Sequence, residues 1–147
     1  MRSTKHERKG DMDITEMKAL VERHLKAEGA GDVEGAVSVY TEDIEHDPVG
    51  FPGAPYHGKD EARHFYGFLT QNFRTEEETP THEYVSENAL VMEQLMTGTV
   101  IGEFLGFPGN NRRITFRILH VFEFRDGLIS RENVWIDSAA IVSQLSS

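Results

Sequence analysis

The chain has 147 residues, 38% hydrophobic and 10% aromatic, which suits one globular core and excludes a disordered chain. It contains no cysteine, so neither a disulfide framework nor thiolate chemistry is available. A formal net charge of -10, with only Arg112, Arg113 and Arg117 forming a basic cluster, argues against a nucleic-acid surface.

Residues 1–12 read as a flexible charged tail ahead of a single domain, 13–147. "MRSTKHERKGDMD" lacks the apolar middle of a secretory signal, and no apolar run approaches the roughly 20 residues needed to span a bilayer. A cytoplasmic protein with no membrane partner is therefore expected. From Ile14 to about Ala30, apolar residues recur at helical spacing (Ile14, Met17, Leu20, Val21, Leu25), and "GAGD" ends the run. Asp32 then caps a short helix through Ala36, Val37 and Tyr40. Residues 43–47 read as a strand, and "PVGFPGAPYHG" as a long turn region with three prolines. Residues 59–73 read as a helix with Ala62, Phe65, Tyr66, Leu69 and Phe73 on one face.

After Pro80 the period changes to two, giving strands over 81–87, 89–104, 112–125 and 128–137. "RDG" at 125–127 marks a hairpin turn, "GFPGNN" at 106–111 joins the preceding pair, and residues 138–145 form a last short helix. Helices followed by antiparallel strands predict an α+β fold. A curved antiparallel sheet wrapped around the long N-terminal helix would bury both apolar sets and leave a cone-shaped cavity. Gly98 and Gly102 are the candidate points of curvature.

Alternation then sorts side chains by face. In "RITFRILHVFEFR", His120 interrupts an apolar row of Ile114, Phe116, Ile118, Phe122 and Phe124. Trp135 and Asp137 share a face of the last strand. His24 follows Leu20 by four and Val21 by three, so it lies on the buried helical stripe. Asp47 precedes Pro48 where a strand becomes a loop, and is either a turn former or an acid–base group. Asp137, before "SAA", is either a helix cap or an acid–base group. Two inward histidines and two carboxylates are costly to bury separately. Around one cavity they would form an acid–base site with mutually shifted pKa values. Phe116, Phe122, Tyr66 and Trp135 are the expected pocket walls. No metal is expected, because His57, His64 and His82 are scattered and no HExxH spacing occurs.

Two stretches carry a resemblance. "GAGDVEGAVSVYTEDIEHDPVG", with "YHGKDEARHFY", resembles the ketosteroid isomerase pattern of helix, "GD", helix, acid–Pro pair and "HG". "GTVIGEFLGFPGNNRRITFRILHVFEFRDGLISRENVWIDSAAIVSQL" resembles the SnoaL-like polyketide cyclases. Both belong to the NTF2-like superfamily, whose cystatin-like roll is the cone fold expected above. The isomerase resemblance implies that Asp47 shuttles the proton, with His24 and His120 at the positions of the oxyanion donors. The cyclase resemblance implies that Asp137 is the general acid/base and His120 a pocket histidine.

Together these readings predict an enzyme without cofactor. It would remove a proton α to a carbonyl of a small hydrophobic polyketide-, steroid- or terpenoid-like compound, giving an isomer or a ring-closed product. The alternatives are a non-catalytic binding or dimerisation module, and an epoxide hydrolase or dehydratase, which would want an arginine between carboxylates. A homodimer through the outer sheet face, at Leu119 and Val121, is also expected.

Overall fold

A computed structural model describes residues 12–147; the expected tail otherwise falls outside the described residues. Met12, assigned to that tail, is half-buried and packs on the core. Helix α1 (Ile14–Gly29) starts where the Asp13 carboxylate accepts from the Glu16 backbone N–H at 2.8 Å, and buries Met17, Leu20, Val21, His24 and Leu25. Asp32 caps α2 (Val33–Val37) in the same way. There follow β1 (Tyr40–Pro48), β2 (Tyr56–His57), α3 (Lys59–Asn72), β3 (Phe73–Val85) and β4 (Ala89–Val100). A two-strand ladder, β5 (Glu103–Phe104) and β6 (Phe107–Pro108), precedes β7 (Arg112–Arg125), β8 (Leu128–Ile136) and α4 (Ser138–Leu145).

The main sheet has the order β2-β1-β8-β7-β4-β3. All its pairs are antiparallel except β1 with β8. It curves, unclosed, around α1, as the periodicities predict. Asp126 and Gly127 both have positive φ (54° and 75°), the geometry that a tight "DG" hairpin turn demands.

Three local features depart from the sequence expectation. Strand β3 begins at Phe73 rather than at 81. The run "RTEEETP" looks unlike a strand because it lies at the sheet edge, where most side chains meet water and Pro80 is tolerated. The expected strand over 89–104 breaks at Ile101–Gly102, so Gly102 lies outside β4. Curvature is placed instead by Gly98 and a bulge opposite it. The β3–β4 register slips between Thr75 and Glu77, and a Cβ at Gly98 would meet the Arg74 carbonyl oxygen at 2.5 Å. A further slip, between Glu123 and Phe124 on β7, leaves Ser130 of β8 unpaired in that ladder.

Apolar side chains form two clusters. One joins α1, α2 and α3 to the sheet around Val21, Tyr40, Ile44 and Phe122. The other joins β4 and β7 to α4 around Val100, Ile114, Phe116 and Ile141. Phe51 and Leu69 pack against both, and the cone's cavity lies where the clusters meet. Among the described residues, no helix is long and apolar enough to cross a membrane.

Candidate functional site

The cavity wall is largely apolar, with Phe51, Phe65, Phe73, Phe104 and Phe116 on it and five ionisable side chains: Glu28, His46, Tyr66, His120 and Glu132. It is narrow, with about 50 Å³ open to the centre of a water-sized sphere. Alternation explains these arrivals. On β1, Ile44, His46 and Pro48 face inward. On β7, Ile118, His120 and Phe122 do so, and on β8, Glu132, Val134 and Ile136 do. On α1, His24 and Glu28 stand one turn apart.

Glu132 is the centre of the polar set and is 1% exposed. Its Oε1 accepts from the Tyr40 hydroxyl at 2.5 Å, from His24 Nε2 at 2.8 Å and from the Tyr66 hydroxyl at 3.3 Å. Its Oε2 accepts from His120 Nδ1 at 3.1 Å. His120 Nε2 lies 3.0 Å from Gln94 Oε1. Burial alone would raise the Glu132 carboxyl, but the facing His24 and the hydrogen bonds from His120 and His24 hold it well below the usual carboxylate range. For His24, burial favours the neutral ring, yet the Glu132 carboxylate overrides it and lifts the imidazole to about 9. His24 Nδ1–H donates to the Ala36 carbonyl at 2.7 Å, which fixes the ring. Tyr40 and Tyr66 are pushed well above the ordinary phenol range by burial and by the neighbouring Glu132 charge, so both remain hydroxyl donors.

Two cavity groups stand apart from this satisfied network. His46 is kept neutral by burial, its pKa lowered to about 4; Nε2 meets the Tyr66 hydroxyl at 3.2 Å, and Nδ1 has no partner among the described residues. Glu28 is raised to about 7 by burial, with the Glu132 and Glu78 charges assisting against His24 and His120. Its Oε2 is buried, 3.6 Å from His24 Nε2, with no hydrogen bond among the described residues. His24, Glu28 and Glu132 bring one ligand atom each within 4.8 Å of one another. A cation bound there would have to displace the His24 proton.

The site residues expected from sequence divide into three groups. His120, Tyr66 and Phe116 line the cavity. His24 and Phe122 lie one layer behind it: His24 on Glu132, and Phe122 stacked on His120 with ring centroids 5.4 Å apart. Asp47, Asp137 and Trp135 do not join the cavity. The Asp47 carboxylate points to the opposite side of β1 from His46, accepts from Asn133 Nδ2 at 3.2 Å and lies 3.7 Å from Arg131. Asp137 caps α4, accepting from the Ala140 backbone N–H at 3.1 Å. Trp135 is 53% exposed on the outer face, where its indole N–H donates to Asn133 Oδ1 at 2.6 Å. Sequence reasoning missed Glu28 and Glu132 and set His46 aside. Glu28 was visible as the residue one turn beyond His24 on the buried stripe. His46 was visible from the parity of Ile44.

An arginine among carboxylates does occur, but on the outer face. Arg131 pairs with Glu45 and with Glu123 at 3.1 Å, and lies near Asp47. No arginine lines the cavity among the described residues.

Similarity to known proteins agrees with this architecture. No curated protein gives a significant sequence match. Among solved structures, a Jannaschia sp. CCS1 protein proposed to be a SnoaL-like polyketide cyclase superposes with a TM-score of 0.80 at 21% identity, covering 93% of this chain and 97% of that one. TsrD from Streptomyces laurentii gives 0.76 at 21% identity over 92% and 98%. An LEH-like epoxide hydrolase of M. tuberculosis gives 0.70 at 19% identity over 90% of each chain. At these identities the likeness establishes the fold, and the sequence signature is more specific: the SnoaL-like domain matches residues 21–132, which run from α1 through Glu132 itself. The chain belongs to the SnoaL-like domain family.

Proposed function

We propose that this chain is a cofactor-independent acid–base enzyme that removes a proton α to the carbonyl of a small hydrophobic compound, leading to isomerisation or aldol-type ring closure. The observation that carries the proposal is Glu28: a cavity carboxyl with a partnerless buried oxygen and a proton affinity near neutrality. Ionised Glu28 accepts the proton from the α-carbon, and the C–H electron pair moves into the enolate. When the Tyr66 hydroxyl turns its one proton from Glu132 to His46 Nε2, neutral His46 presents Nδ1–H to the enolate oxygen. Glu132, His24, His120 and Tyr40 do not touch substrate in this scheme. They hold Tyr66 and the cavity wall in place through bonds that are already made.

Hydrogen–deuterium exchange at the α-carbon of cyclic ketones, followed by proton NMR in D₂O, tests the reading. A panel from cyclohexanone to 2-tetralone and a 3-oxosteroid grades the ketones by size against this narrow cavity. The expected result is exchange well above the buffer rate for at least one ketone, rising with pH through about 7 as Glu28 ionises. Buffer-level exchange across the whole panel would remove the proposal. The epoxide-opening reading lacks its arginine in the cavity and is not favoured.

The functional unit in this reading is a homodimer formed through the outer sheet face. Val91 faces Val121 across the β4–β7 ladder, and Leu119 faces Trp135 across β7–β8. With Leu95 41% exposed alongside them, the result is an apolar band on a water-facing surface. Light scattering should give twice the chain mass, and Val121→Asp should give a monomer. A monomeric native protein would contradict the dimer.

A further inference from the structure

Outside the cavity, separated from it by Phe51 and Phe65, lies a second and larger concavity of about 670 Å³. That volume falls within the range of small-molecule sites. Its floor is aromatic. Phe51 meets Phe65 edge-on at 5.3 Å between centroids, Tyr56 lies 5.4 Å from Phe65, and Phe68 is 44% exposed beside them. The Tyr56 hydroxyl donates to the Pro52 carbonyl at 2.5 Å, which pins the loop over the floor. Carboxylates dominate the rim: Asp60, Glu61 and Glu103 line the concavity beside a single imidazole, His64, and no lysine or arginine does so among the described residues.

The rim charges are unequally compensated. Asp60 is paired with Arg63 at 2.6 Å. Glu61 accepts only a backbone N–H, that of His57 at 3.3 Å. Glu103 is anchored by its backbone N–H to Asn72, and its carboxylate has no cationic partner among the described residues. Two uncompensated carboxylates beside an aromatic floor, with Phe68 exposed, are electrostatically poor for an anion and indifferent to a neutral ligand. They suit an organic cation, which gains from ring quadrupoles and carboxylates at once. The chain's net charge of -10 adds long-range attraction of the same sign.

We propose that this outer concavity is a binding site for a small organic ammonium compound with an apolar body. The cationic head would sit between the Glu61/Glu103 rim and the faces of Phe68 and Tyr56, with the apolar part on Phe51 and Phe65. The site stands whether or not the inner cavity performs chemistry, since it shares only two ring side chains with it.

Isothermal titration of the intact protein with three benzyl compounds of different charge tests it. Benzyltrimethylammonium should bind at least tenfold more tightly than benzyl alcohol, benzoate should show no binding, and the cation's affinity should weaken as salt is raised. In Glu61→Gln/Glu103→Gln the cation should lose at least fivefold in affinity while benzyl alcohol is unaffected. Phe68→Ala, an exposed position with little bearing on folding, should weaken the cation as well. Equal affinity for the cation and the alcohol would overturn the proposal, as would undiminished cation binding in the double variant.

Discussion

Glu132→Gln should cost about 3–5 kcal/mol of folding stability at pH 7, read as a lower urea midpoint with an unchanged slope. The substitution keeps the shape of the side chain and removes its charge. His24, 0% exposed, then keeps only the more distant Glu28 as an anionic neighbour among the described residues, and must either hold its proton without a close counter-charge or give it up against the pull that Glu132 exerted. The cost is that of breaking one partner out of a buried pair, which exceeds the net worth of the pair it replaces. The pH dependence fixes the origin. His24 is raised from 6.5 to about 9, so its contribution is complete below 6.5 and fades as pH rises through 9. Glu132 is lowered from 4.5, so its contribution is complete above 4.5 and fades on acidification. The gap between wild type and variant should therefore be widest between about pH 4.5 and 6.5 and narrow on both sides. A gap independent of pH would mean that packing, not charge, is what the substitution disturbs.

The second large effect concerns rate. Glu28→Gln should reduce ketone α-proton exchange by about 10²–10⁴-fold, the usual weight of a positioned general base. Stability should move the other way. The Glu28 pKa is raised from 4.5 to about 7, so its contribution to stability is complete below 4.5 and is lost as pH rises through 7. Above that pH the native carboxylate is a buried charge with an unpartnered oxygen, and the amide should be as stable or more so. Loss of rate without loss of stability separates a reacting group from a structural one. Asp47→Asn and Asp137→Asn are the controls. The first lies on the outer face and the second retains a good helix cap, so both should exchange within about twofold of wild type. Full activity in Glu28→Gln, or a large loss at Asp137, would return the base to the C-terminal carboxylate.

The architecture was legible in the sequence because its signals are long. Fourteen residues of alternation in β7 leave one possible inward face, and that face carries His120. The stripe of α1 likewise places His24. The carboxylates were misplaced for a local reason. Counting by twos from buried Ile129 makes Arg131, Asn133 and Trp135 inward, and a large aromatic supports that choice. The unpaired Ser130 shifts the count by one, so Glu132, Val134 and Ile136 face inward and Trp135 faces out. A one-residue bulge leaves no mark in composition, yet it decides which acid is buried. Glu28 was overlooked for a different reason: a carboxylate on an apolar stripe reads as the stripe's polar end unless its neighbours in space are known.

The two margins of the open sheet carry a consequence for how large the assembly can grow. One margin, β2, is only two residues long. The other, β3, is interrupted by two register slips, contains Pro80 and carries Glu76, Glu77 and Glu78 in succession. Neither can template a further strand from another copy, because a broken, acidic margin offers no continuous ladder of amide groups. The proposed two-fold contact on the broad face would consume the apolar band on both partners and leave nothing to propagate. The bend that hollows out the interior also guards the protein against polymerising into fibres.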